Sequence, residues 1–186
     1  MMQVFFYFLE KGVKKEIEVG CNIKTMLSDQ LNISTDYIDN RIKTLFLDGR
    51  PVGDINSTMV NDGSTLALSA ALPGLAGATF RRSEKTEPSQ STTIVKKEIK
   101  KSTKQYGVIT IKLFNLVLRE LGPAFLKSGA LISKNELANF ISRQPEKFLK
   151  ACKSIKIDSK SSTIEEVEQI DFSDDSELLL LYVNSD

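Results

Sequence analysis

A period-two apolar series over residues 13–19 follows a turn signal and precedes a helical one, and this succession constrains the fold more than any other feature. Val13, Ile17 and Val19 share one parity of the series, and Lys14, Glu16 and Glu18 occupy the other, which is the alternation of a strand with one face in a core. The aromatic-rich residues 3–9 come before it, separated by Glu10, Lys11 and Gly12. A glycine there supplies the positive φ that a tight turn needs, so the first 19 residues predict a β-hairpin. Asn22 then caps a helix whose apolar positions Ile23, Met26, Leu27 and Leu31 fall at i, i+3, i+4 and i+8, with Asn32 or Ser34 as its stop. Residues 42–47 predict a strand ending at the Asp48-Gly49 turn, and Pro51-Val52 a very short edge strand. After the turn signal Asn61-Asp62-Gly63, residues 65–69 predict a last strand with Leu66 and Leu68 on one face.

The order is β-β-α-β-(β)-β, an α+β unit with one two-layer core. Leu45-Phe46-Leu47-Asp48-Gly49-Arg50-Pro51-Val52-Gly53-Asp54 resembles the strand, glycine turn and short strand of the ubiquitin-like β-grasp family, and Ser64-Thr65-Leu66-Ala67-Leu68 resembles its last strand. The resemblance covers about residues 3–82. It implies that Phe46, Ala67 and Ser69 correspond to the outward apolar patch that ubiquitin presents to partners; of these, Phe46 is the one large apolar group. It also places Leu72, Pro73, Gly74, Leu75, Phe80, Arg81 and Arg82 where ubiquitin and the related sulfur carriers have a C-terminal tail. Those tails end in Gly-Gly, whereas here Gly74 and Gly77 are separated and the chain continues past Ser83. A connector or docking segment between two domains is therefore the expectation for residues 72–82, with Leu72, Leu75, Phe80, Arg81 and Arg82 joining Phe46 as partner-binding candidates.

Residues 81–105 are polar and basic, with eight Lys or Arg against three Asp or Glu, and read as a linker. Beyond them two signals overlap: Val108, Ile109, Thr110 and Ile111 are strand-like, while Leu113, Leu116, Val117 and Leu121 have helical spacing. Gly122-Pro123 predicts an interruption or a kink and Gly129 a stop. Ser133-Lys134-Asn135-Glu136 fits a capping box for a helix carrying Leu137, Phe140 and Ile141, and Pro145 opens a further turn or two. Residues 153–160 then parallel 43–50, and residues 177–180 parallel 65–68, which predicts a partial β-grasp repeat.

The division expected is a ubiquitin-like domain at 1–80, a linker at 81–105 and a second α+β domain at 106–186. The chain of 186 residues contains no histidine, which removes Ser-His and Cys-His nucleophile pairs and the commonest metal ligand. Cys21 and Cys152 lack metal or disulfide spacing, although Lys150 and Lys153 flank Cys152. The glycines match no phosphate loop, and Asp171, Asp174, Asp175 and Glu177 lack calcium-loop spacing. No apolar run reaches the roughly 20 residues of a bilayer span, and the N-terminus lacks a basic leader. The basic middle has no recognition-helix pattern. These features lead us to expect a cytoplasmic, non-enzymatic protein-interaction or scaffold module, without catalytic residues, metal or cofactor, that binds a protein partner and neither membrane nor nucleic acid. The alternative is a ubiquitin-like modifier or sulfur-carrier precursor processed near residues 72–82.

Overall fold

The computed structural model describes residues 2–71, 105–144, 155–157, 160–162 and 178–183. It is a mixed α+β structure. The chain opens with a 3-10 turn (Met2–Phe5) and helix α1 (Phe6–Lys11), followed by strand β1 (Val13–Glu18) and helix α2 (Ile23–Thr25), which runs on as a π-helical turn (Met26–Gln30). Helix α3 (Thr35–Asn40), β2 (Thr44–Leu47), β3 (Arg50–Pro51) and β4 (Thr65–Ser69) complete the first seventy residues. Then come β5 (Tyr106–Phe114), α4 (Asn115–Lys127), β6 (Ala130–Ser133), α5 (Lys134–Ser142), β7 (Ile155–Ile157), β8 (Lys160–Ser162) and β9 (Leu178–Val183).

Among the described residues the strands form one sheet in the order β3-β2-β4-β5-β1-β6-β9-β7-β8. Strand β5 lies between β4 and β1, parallel to the first and antiparallel to the second, with Leu66 and Val13 both in register with Ile111. The sheet thus draws strands from both sides of residues 72–104. Alternate residues of these strands are buried: Val13, Ile17, Leu45, Leu66 and Leu68 before residues 72–104, and Ile109, Ile111, Leu113, Ala130, Ile132, Leu179 and Leu181 after them. Their partners of the other parity, such as Phe46, Ala67, Lys112 and Phe114, stay half-exposed, so one face makes the core and the other faces outward.

Several local expectations match the structure. Asn22 Oδ1 accepts from the Thr25 amide at 2.8 Å, and Ser133 Oγ accepts from the Glu136 amide at 3.2 Å, so both serve as N-caps. Asp48 and Gly49 turn β2 into β3 with φ of 51° and 76°, the left-handed pair of a tight hairpin. Leu45, Leu66 and Leu68 are core residues. Ser34 does not merely stop a helix; its hydroxyl caps α3, accepting from the Tyr37 amide.

The hairpin expected over residues 3–19 is corrected. Residues 2–11 are helical, not extended, and β5 lies beside β1 where the first strand of the hairpin would run. The physical reason is tertiary: β5 occupies that place, while Phe5, Phe8 and Leu9 find burial on the helices, with Phe5 and Phe8 ring centroids 5.4 and 4.8 Å from that of Phe140. Burial of this size outweighs local strand propensity. Gly122-Pro123 does not interrupt α4, which carries Pro123 in its interior. Gly122 is instead where Phe6 packs, since a Cβ there would lie 2.9 Å from the Phe6 ring. The overlapping signals of residues 108–121 resolve in sequence, strand to Phe114 and helix from Asn115. The turn expected at Pro145 falls outside the described residues.

Candidate protein-docking face

The outward face of the sheet carries a hollow of about 260 Å³ lined by Thr44, Phe46, Ala67, Ser69, Phe114 and Asn115. Pairing builds it. Phe46 sits opposite Ala67 across β2 and β4, Thr44 opposite Ser69, and Ser69 opposite Phe114 across β4 and β5. Directly paired residues point to the same face, so small Ala67 and Ser69 on the middle strand form the floor. Large Phe46 and Phe114 stand as walls on either side.

The polar groups of the floor are satisfied internally. Asn115 Nδ2 donates to Ser69 Oγ at 2.9 Å, Ser69 Oγ donates to the Ala71 carbonyl at 3.0 Å, and Thr44 Oγ1 donates to the same carbonyl at 3.3 Å. Asn115 is held at φ 55°, a conformation asparagine tolerates better than most residues. With its hydroxyl and amide groups engaged, the hollow presents chiefly aromatic and methyl surface, and its lining contains no titratable side chain. Its two hydroxyls, on Thr44 and Ser69, are committed to the Ala71 carbonyl, and the lining holds no carboxylate, lysine or cysteine beside them. Its volume lies just below the roughly 300–1,000 Å³ of typical small-molecule pockets and suits one or two aliphatic side chains.

Two other concavities differ in character. A more open one of about 490 Å³ runs between the N-terminal helix and α4 and is lined by Gln3, Val4, Phe6, Tyr7, Glu10, Asn115, Leu118 and Arg119. A third, of about 270 Å³, has Lys15 at one end and Leu31, Ile33, Leu121 and Phe125 among its walls. Lys15 Nζ donates to the Gly129 carbonyl at 2.8 Å and to Ser128 Oγ at 3.2 Å. Burial pushes its pKa down, and the bonds place a cation at the C-terminal end of α4, where the helix dipole favours it. Lys15 therefore closes a helix end. Near α3 and α4, Tyr37 Oη donates to Glu120 at 2.6 Å and the Arg41 guanidinium pairs with the same carboxylate. Arg41 and Tyr37 together hold the Glu120 carboxyl below its usual range, and burial together with the Glu120 bond pushes the Tyr37 phenol well up. This is a clamp between the two halves of the chain. Burial also raises the Cys21 thiol, the opposite of an activated nucleophile.

Of the partner-binding candidates read from sequence, Phe46 lines the hollow, together with Ala67 and Ser69, the other two positions of the implied patch. Leu72, Leu75, Phe80, Arg81 and Arg82 fall outside the described residues, as does Cys152. Phe114 and Asn115 were not singled out in the sequence, because their place beside β4 depends on a pairing between residues far apart along the chain. Among the described residues no group of three or more His, Cys, Asp or Glu side chains is arranged to hold a metal, and no helix is long and apolar enough to cross a membrane. No protein-family model, curated protein or solved structure matches the chain.

Proposed function

We propose that the chain is a non-enzymatic protein-interaction module of ubiquitin-like β-grasp type, and that it docks a partner's aliphatic side chains between Phe46 and Phe114. The observation that carries this reading is the composition of the hollow: two aromatic walls over a small-residue floor whose polar atoms bond to one another. Aromatic anchors around a desolvated centre are where binding energy concentrates in protein interfaces. The β-grasp reading is supported by the β2–β3 hairpin on the Asp48-Gly49 turn, by β4 pairing to the other side of β2, and by Ile23, Met26 and Leu27 of the helical segment 23–30 joining the core. The repeat is supported by the far edge of the sheet, where β7 pairs antiparallel with both β8 and β9 as β2 does with β3 and β4.

Ala67→Arg tests the proposal, because it fills the floor with a charged chain while leaving the core parity untouched. The intact protein and this variant, each used as bait in its native cell with mass-spectrometric readout, should differ by the loss of a stoichiometric non-covalent partner. Identical partner lists for two equally stable baits would refute the docking face. A covalently attached or cleaved species ending near residue 82 would instead point to a modifier or carrier.

A further inference from the structure

We infer that residues 3–9 and strand β5 are alternative occupants of one slot in the sheet, the place between β1 and β4, and that the chain can exchange one for the other. The slot requires an extended segment with an apolar side chain at every second position, as Ile109, Ile111 and Leu113, all fully buried, provide now. Val4, Phe6 and Phe8 offer the same spacing within residues 3–9. They also lie next to the slot along the chain, since only Glu10, Lys11 and Gly12 separate residue 9 from β1. Gly12 already holds φ at 122°, within the range where a left-handed turn residue is needed. Strand β5 reaches the same place only after the chain has run through residues 19–105, and closure of a short loop is the faster event.

The helix that residues 6–11 now form has little local support. It has six residues, its N-cap Phe5 makes no side-chain capping bond, and its first turn has no acidic residue. Val4, Phe5, Phe6, Tyr7 and Phe8 are all better strand than helix formers. What holds the segment helical is the half of the chain that delivers β5. Phe5, Tyr7 and Phe8 pack on Phe140 of α5, and Phe6 packs on Gly122 of α4. The two features are therefore coupled. When residues 106–144 dock, β5 fills the slot and the same elements cradle the N-terminal helix. When they undock, the helix loses its cradle as the slot opens for it. The hollow depends on the docked state, because Phe114 and Asn115 arrive with β5; this last consequence rests on the docking reading above, while the exchange does not.

Two measurements on the full chain, with Cys21→Ser and Cys152→Ser in the background, test the exchange. Lys14 and Thr110 are register partners on the outward face of β1 and β5, so Lys14→Cys with Thr110→Cys locks β5 in place when oxidised. Saturation-transfer NMR should detect, in the reduced protein, a minor state in which residues 3–9 have strand-like Cα and Cβ shifts, and oxidation should abolish it. Identical profiles before and after oxidation overturn the proposal. The second variant, Ile111→Pro, bars β5 from a central position in the sheet. Residues 3–9 should then take strand shifts, with their amides exchanging about 100-fold more slowly than in the parent while β1 and β4 stay protected. Loss of protection in β1 and β4, with residues 3–9 not extended, overturns it as well.

Discussion

Truncation of Leu66 to alanine, combined with truncation of Ile111, measures the central junction of the sheet. Leu66 on β4 is fully buried, with Leu47 in register on one side and Ile111 in register on the other. Leu66→Ala removes roughly three carbons from the core, about 2.4 kcal/mol of transfer free energy at about 0.8 kcal/mol per methylene. A cavity term adds to this, because a leucine flanked by strands on both sides leaves a hole that the backbone cannot close. The expected total is about 3–4 kcal/mol, inside the roughly 2–5 kcal/mol range of buried leucines. Ile111→Ala should cost a similar amount. Since the two side chains share one space across the β4–β5 pair, the double variant should depart from additivity by about 0.5–3 kcal/mol. Urea denaturation followed by circular dichroism gives each value from the midpoint, provided the slope is unchanged. A loss below about 0.5 kcal/mol for Leu66→Ala means that it faces solvent and the register is off by one residue. Large single losses that add within about 0.3 kcal/mol mean that Ile111 is not beside Leu66, and the placement of β5 fails.

Gly12→Ala should destabilise by about 1–3 kcal/mol in the same denaturation assay, because the residue sits at φ 122° and its new methyl would lie 2.6 Å from Thr110 Cγ2. Ser133→Ala should lose about 1 kcal/mol as the Glu136 amide loses its cap, while Ser133→Thr keeps most of the stability. Ala67→Arg should change the urea midpoint by less than about 0.5 kcal/mol equivalent, since Ala67 is half-exposed on the outward face; a larger loss would make the hollow part of the core. Glu120→Gln tests the clamp against pH. The Glu120 carboxyl titrates below its ordinary value in the fold, so its contribution is complete above the unfolded pKa and disappears as pH falls through the folded one. The wild-type protein should exceed the variant in melting temperature at pH 7, and the gap should close as pH drops below about 4; a gap independent of pH would refute the charge interaction.

Much of the first seventy residues is legible because the signals there are local. The Asp48-Gly49 turn needs two left-handed residues in a row, and that pair of residue types supplies them. Leu45, Leu66 and Leu68 declare a core face by parity alone, and Asn22 is a polar residue three positions before the amide it accepts from, as Ser133 is later in the chain. The ubiquitin-like resemblance implies the outward face for Phe46 and Ala67, and their register across β2 and β4 agrees with it. Phe114 could not be assigned, because its role depends on the register Ser69↔Phe114 across residues 70–113, and no pattern within either segment encodes that pairing. Asn115 fails for the same reason: its left-handed φ is chosen by the strand-to-helix corner and secured by Ser69.

The N-terminal segment differs, because its local signal is strong and points to a strand. Residues 3–9 combine strand-forming side chains with a glycine-ended turn, and the N-cap of α1, Phe5, makes no side-chain capping bond. Their helical state is therefore a property of what surrounds them, namely Phe140, Gly122 and an occupied slot beside β1. Local preference and global fold normally agree in natural sequences, and a segment where they conflict marks either strain or a second state. A capping serine or aspartate at position 5 would return about 1 kcal/mol and lose the burial of Phe5 against Phe140, so the helix stays uncapped for the sake of its packing. The chain keeps five consecutive strand formers, Val4 through Phe8, of which Phe5, Phe6 and Phe8 are buried in the helical arrangement and Val4, Phe6 and Phe8 have the spacing of a core strand. A sequence that satisfies both arrangements is what two competing occupants of one slot require, whereas a sequence committed to the helix alone would have no need of the β-branched Val4.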